Sequence, residues 1–305
     1  MSFSITTNYV GKNAGIWITK ALFQCETLDK GLVNIITNYK DSVTLNKGEA
    51  LGTLIQADSG GWNASGNFNA SGVTYDTVPY KVNVEGVITE WESHWESEKM
   101  KPGAHNSNVS ADLQSFILDT ITGTVSQSLE YSLWRSNWSG STGYDLTGFY
   151  GFLYLLDNAP GINRVVGTTL TDANVATEIK KVYTGLTGLA NYKENGGSKI
   201  YMNKQDVAMY KVAVGSASNE AYFTGDREAN FLGVPLVGVP GMPRNVMVAG
   251  NMEEDIYFLT DLLSDTNEVR VKDMRDVDLT DYMRMKMRFR IGDGVPYGNK
   301  LILYK

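Results

Sequence analysis

The sequence predicts an α+β fold with an amino-terminal arm, an extended β-hairpin loop, a domain built on one long helix, and an α/β domain. Three observations predict it. A helical apolar period runs over residues 110–135, strand and helix text alternate after it, and a strict two-residue alternation occupies Tyr282 to Ile291. The chain has 305 residues, 42% hydrophobic and 20% charged, which is the length of about two domains and the composition of globular proteins.

Composition also removes whole classes of function. A net charge of -7 argues against a dedicated nucleic-acid binder, because such proteins need an excess of Lys and Arg to displace counterions from phosphates. Cys25 is the single cysteine, so no internal disulfide framework is possible, and with only His94 and His105 as imidazoles no metal centre is expected. No apolar run reaches the roughly 18 residues of a membrane span. The start MSFSITTNYVGKN lacks the basic-then-apolar layout of a signal peptide.

Residues 1–42 form the arm. Its apolar clusters (Ile16–Ile18 around Trp17, Ala21–Phe23, Leu32–Val33, Ile35–Ile36) follow neither the helical nor the strand period. They must be covered either by the chain's own body or by a neighbouring molecule, and Trp17 and Phe23 are the arm's contact candidates.

Residues 43–88 form the extended loop. Its centre, SGGWNASGNFNASG at 59–72, has fourteen positions without a charge and carries Trp62 and Phe68. It reads as a flexible surface loop or as a hairpin meant to lie against another subunit, since two large aromatics gain little in water. The flanking text, LGTLIQ before and VTYDTVPYKVNVEGVI after, favours strands.

Residues 89–143 carry a long helix and residues 251–305 return to strands; the resemblance given below implies that the two segments form one domain. Leu113, Phe116, Ile117, Ile121, Val125, Leu129 and Leu133 recur at helical spacing, giving a helix of roughly 37 Å. Its other face is Ser, Thr and Gly rather than Lys and Glu, so packing is expected on both sides. At the carboxyl end, Met283, Met285, Met287, Phe289 and Ile291 alternate with Arg284, Lys286, Arg288 and Arg290, one face core and the other a basic stripe. Asp293–Gly294 supplies turn residues, and Lys300 to Tyr304 forms the last strand.

Residues 144–250 form the α/β domain. Thr171 or Asp172 caps a helix carrying Val175, Ile179, Val182 and Leu186; Lys199–Met202 is a strand; Asn203 caps a second helix to about Val212. Strands follow at Phe231–Val237 and Val246–Ala249.

No arrangement reads as an active site. Glu90, Glu92, Glu96 and Glu98 beside Trp91 and Trp95 could suit glycoside hydrolysis, but an i,i+4 Trp pair on a buried helical face explains them more simply. The chain has no Gly-x-Ser-x-Gly elbow and no phosphate loop, and Cys25 lies in an apolar cluster as a small buried thiol. No catalytic residue and no cofactor is expected. The basic stripe fits either a polyanion or carboxylates across strands or subunits; the acidic total and the nearby Asp273, Asp276, Asp278 and Asp281 favour pairing.

From Ile200 onward several short motifs resemble one family. They are Ile200–Asn203 followed by a helix, Leu232-Gly-Val-Pro-Leu-Val237, Gly241-Met-Pro243, Val246-Met-Val-Ala-Gly250, and Arg284-Met-Lys-Met-Arg-Phe-Arg290 with Asp293–Gly294. Their order resembles the major capsid proteins of tailed bacteriophages, the Hong Kong 97 phage-type capsid fold. The earlier residues match by element order alone. The resemblance implies an arm, an extended loop, a peripheral domain with a spine helix and an axial domain. It also implies pentamers and hexamers in an icosahedral head, assembled in the bacterial host cytoplasm and enclosing double-stranded DNA without sequence-specific binding. Separate scaffolding, portal, protease or decoration proteins are implied partners, and no membrane. Inter-subunit contact candidates are Trp17, Phe23, Lys47, Trp62, Phe68, Arg284, Lys286, Arg288 and Arg290. Some family members crosslink a loop lysine; Lys47 lies near the loop, but nothing identifies its partner. The alternatives are an encapsulin-like compartment and a carbohydrate-active enzyme or binding module using Trp62, Trp91 and Trp95.

Overall fold

The computed structural model describes residues 6–10, 25–37, 41–51, 55–58, 60–87, 111–140, 143–193, 197–216, 229–261 and 268–305. Trp17, Phe23, both histidines and the Trp91/Trp95 segment lie outside the described residues. The chain begins with β1 (Thr6–Val10), α1 (Glu26–Asp29) and β2 (Asn34–Ile36), followed by β3 (Ser42–Leu51), β4 (Asn67–Asp76) and β5 (Val78–Val87). The long helix α2 (Ala111–Arg135) comes next, then α3 (Phe152–Asn158), β6 (Asn163–Val165), α4 (Val175–Thr187), β7 (Lys199–Asn203) and α5 (Lys204–Ser216). The remainder is β8 (Asn230–Phe231), β9 (Val234–Val239), β10 (Met247–Gly250), α6 (Met252–Asp255), β11 (Tyr257–Thr260), β12 (Glu268–Asp273), α7 (Arg275–Asp278), β13 (Tyr282–Gly294) and β14 (Ile302–Tyr304).

Strand β13 organises the first sheet. It runs antiparallel to β12 and β11 along one edge and to β5 along the other, while β1 extends β12 and β2 lies parallel to β11. Its alternation is the one the sequence predicts: Met283, Met285, Met287, Phe289 and Ile291 are buried and share one core with Leu118, Leu129 and Leu133 of α2. The carboxyl half of the arm joins the same core through Cys25, Leu28, Leu32 and Val33, so these hydrophobes are covered by the chain's own body.

The second sheet has the order β6-β14-β10-β7-β9-β8. Its central strands are buried on both faces, which is why they read as continuous apolar runs. Ile200, Met202, Met247, Ala249, Ile302 and Tyr304 pack with α4 and α5, whereas Tyr201, Val248 and Leu303 point into the core around α2. The last strand, expected from the sequence, joins this second sheet. Leu301–Tyr304 is wholly buried and needs a central position, which it finds between β6 and β10. Helix α4 is capped by Asn174 and not by Thr171 or Asp172; the Asn174 Oδ1 accepts the Thr171 N–H at 2.8 Å and closes the turn leading in. Asn203 caps α5 as expected, accepting the Gln205 N–H at 2.9 Å.

A buried carboxylate joins the arm, α2 and the 240–242 loop. Glu130 accepts the Cys25 thiol at 2.6 Å, the Thr27 N–H at 3.0 Å, the Thr27 hydroxyl at 2.7 Å and the Gly241 N–H at 3.3 Å. Trp134 Nε1 donates to the same Thr27 hydroxyl at 2.9 Å. One turn on, Arg135 donates to the Gly241 and Met242 carbonyls at 2.7 and 2.9 Å. Burial first, and then the Glu130 charge, push the Cys25 thiol far above the ordinary thiol range, so it is an inert core group.

The hairpin β3–β4 springs from the first sheet at Thr77, and its base corrects a second expectation. Asp293–Gly294 is no turn: both residues belong to β13 and pair with Phe258 and Tyr257. They serve close approach. A Cβ at Gly292 would lie 2.7 Å from the Asp76 carbonyl oxygen, and one at Gly294 would lie 2.9 Å from the Tyr75 ring. Between them Asp293 is buried with Oδ2 lacking a partner among the described residues, and burial holds its pKa well above the ordinary carboxyl value. The same enclosure, with the Asp293 charge adding to it, pushes the Tyr75 and Tyr80 hydroxyls up to about 12.

This arrangement sets a pH dependence. Above the unfolded value near ~3.9 the unfolded chain loses the Asp293 proton while the folded chain keeps it. Stability from this group is thus greatest below that pH and falls as pH rises toward the folded value, by up to about 1.4 kcal/mol per unit. Asp293→Asn should flatten that slope. Urea unfolding of both proteins at pH 4 and pH 7.5 checks it: the variant should gain on the parent at the higher pH, and an unchanged difference would refute it.

Candidate assembly surfaces

The hairpin is paired in register from Ser42↔Asp76 to Leu51↔Asn67. Those ten pairs place its end about 31 Å beyond the base. Phe68, expected within the loop, is in strand β4, because pairing runs through Asn67 where the Gly/Ser/Asn composition suggests irregular chain. The end is apolar and open: Trp62 is 95% exposed, Ile55 89% and Phe68 69%. An exposed aromatic cluster of this kind marks a contact surface. Ile55, from the apolar text LGTLIQ, belongs to the same exposed end.

Lys47 lies on β3 with its Nζ 5.6 Å from the centre of the Tyr297 ring, so it touches its own body.

The basic stripe is wider than the sequence showed. Residues directly opposite in register share a face, and the pairs Arg284↔Lys272, Lys286↔Arg270 and Arg288↔Lys81 add three cations from β12 and β5. The alternation in VRVKD and in YKVNV carried that signal, but only the pairing brings the three strands together. Arg284 is the best neutralised, bonding Glu85 at 2.5 Å with Asp278 at 3.8 Å; Arg290 lies 3.7 Å from Asp41. Of the carboxylates expected to pair with the stripe, Asp273 is held by Arg275 at 2.7 Å, and Asp278 accepts from the Thr280 N–H at 3.2 Å and lies 3.8 Å from Arg284. Arg288 foremost, with Arg270 and Lys81, holds the Lys286 ammonium below the ordinary lysine range. Such like-charge crowding is unfavourable on an uncovered face and is relieved by an anionic cover.

A second apolar tip stands at the β12–β13 connection, where Leu279 is 91% exposed in the left-handed backbone region beside exposed Val277. Among the described residues no group of three potential metal ligands converges, and no helix is long and apolar enough to cross a membrane.

Comparison with family models and with curated proteins gives no match. Comparison with solved structures gives many. The capsid of a native GTA particle is 13% identical over 94% of this chain and 90% of that one, with a TM-score of 0.61. A satellite phage P4 procapsid is 13% identical over 95% and 89%, TM-score 0.59. The capsid of Myoviridae phage XM1 is 14% identical over 91% and 90%, TM-score 0.55. Sequence identity is low, so the likeness is one of fold: the chain has the tailed-phage capsid fold.

Proposed function

We propose that this chain, folded as those capsid subunits are, is the major capsid protein of a tailed double-stranded DNA bacteriophage and assembles into pentamers and hexamers of an icosahedral head. One observation carries the reading: on that fold the chain holds out a hairpin on which Trp62 and Ile55 are nearly bare and Phe68 is exposed. On this reading residues 1–42 are the arm, 43–88 the extended loop, 89–143 with 251–305 the peripheral domain, and 144–250 the axial domain. The last strand, seated in the second sheet, would tie the two domains together. Assembly would proceed in the host cytoplasm, with scaffolding, portal, protease or decoration proteins as further partners.

Negative-stain microscopy of the recombinant protein tests the reading, and closed shells are expected. Particles recovered from infected cells should hold nuclease-protected DNA; particles filled with a single co-purifying enzyme would identify a cargo compartment instead.

The basic face makes a second prediction. Arg288→Glu removes a repulsive neighbour of Lys286, so the thermal midpoint of the free subunit should stay level or rise. Shell yield should fall, because an exposed pair is worth little inside one subunit but is repeated at every contact. Parent-like shell yield from this variant would rule out the face as an inter-subunit contact.

A further inference from the structure

The core beneath the first sheet is incompletely covered along one border. Strand β5 is ten residues long and pairs with β13 on one side, and among the described residues no strand pairs with its other side. That open side is a row of main-chain donors and acceptors. Beside it a groove of about 510 Å³ runs between β5 and α2. Tyr80, Val82 and Val84 on its strand wall and Ile121 and Val125 on its helix wall pack against the core and yet are only partly buried. We propose that this border is a strand-addition site for an extended segment of a partner polypeptide, apolar at every second residue and acidic between.

Backbone, groove and charge each specify part of that partner. An open strand edge pairs with extended chain, and an added strand lies about 4.8 Å from β5, over the mouth of the groove. Residues 80–84 span about 13 Å, the length of four or five extended residues, so two or three side chains at alternate positions enter the groove. The volume suffices, since a cavity of about 150 Å³ already holds a benzene ring. The intervening side chains fall on the other face of the sheet, where Lys81 at the open edge stands opposite Arg288 in register and adds to the crowding at Lys286. Acidic residues relieve that crowding; basic ones increase it. Glu85, the carboxylate on the same strand, is already bound to Arg284. A uniformly apolar or uniformly charged segment satisfies one face of the border and opposes the other. Alternation is the feature this border selects.

The site lies within a single copy of the chain and does not depend on the capsid reading. Fluorescence anisotropy on the purified chain, with a labelled seven-residue peptide alternating glutamate and valine, tests it. Binding should be at least tenfold tighter than for the same residues arranged in blocks, and at least tenfold tighter than with lysine in place of glutamate. N-methylation of every second residue removes main-chain donors and keeps the side chains, so it should abolish binding, and only the unmethylated peptide should slow hydrogen exchange in residues 78–87. Ser128→Trp fills the groove from the exposed side of α2, and Lys81→Glu reverses the charge at the edge. Each should weaken binding at least tenfold with helix content unchanged. No binding at millimolar peptide, or equal binding of the block or methylated peptide, would overturn strand addition. Assembled particles that exclude a peptide bound by the free chain would assign the border to a second copy and overturn the separate partner. The capsid reading survives each of these results and fails only if the parent builds no shells.

Discussion

Trp62→Ala should give a folded subunit that no longer builds shells. Removing the indole takes nothing from the core, since Trp62 is 95% exposed in the free chain, so circular dichroism and thermal midpoint should match the parent. In the assembly the loss is large. A Trp anchor truncated to Ala at a packed interface costs about 2 kcal/mol or more, roughly a thirtyfold weakening of each contact. A ring repeats that contact at every junction, so modest weakening abolishes closure. Deleting residues 59–72 should act in the same way. Sedimentation velocity beside electron microscopy gives the readout, and shells at parental yield would contradict the role of the hairpin.

Glu130→Ala should produce the largest loss of subunit stability. Four donors converge on this one carboxylate: the Cys25 thiol, the Thr27 N–H and hydroxyl, and the Gly241 N–H. Truncation leaves these buried donors without their acceptor, at about 1–3 kcal/mol for each unsatisfied group, partly recovered by relaxation. A net loss of about 3–5 kcal/mol follows, a large share of the usual 5–15 kcal/mol of a domain. For a chain of this size the thermal midpoint should drop by roughly 6–10 °C. A change under about 1 kcal/mol in urea unfolding would show that the arm, the spine helix and the 240–242 loop are joined by other means.

What the sequence made legible followed from period and composition. The α2 helix and the β13 alternation were readable because each sets a continuous apolar face against one core. Asn203 announced its helix through ordinary capping chemistry. Other features were hidden for physical reasons. Asp293–Gly294 looks like a turn, and only the pairing of β11 shows that glycine is needed there for the approach of Tyr75. Tyr304 belongs to a sheet whose other strands lie far away in sequence, so no local pattern could assign it. The contact surfaces divide similarly. Trp62 and Phe68 stood out by composition, whereas the width of the basic face depends on cross-strand register, and the groove exists only where α2 meets β5. Glu130 escaped notice because a buried Glu on a helix carries no signature until its donors, more than a hundred residues away, are placed around it.

Sedimentation velocity of the pure parent protein over a hundredfold concentration range tests the central claim most directly. Bare hairpins that find their cover only on identical copies predict a steep, concentration-dependent passage from small species to large closed particles. A single monomeric boundary persisting to the highest concentration would mean that the chain satisfies its own surface and is not a shell subunit.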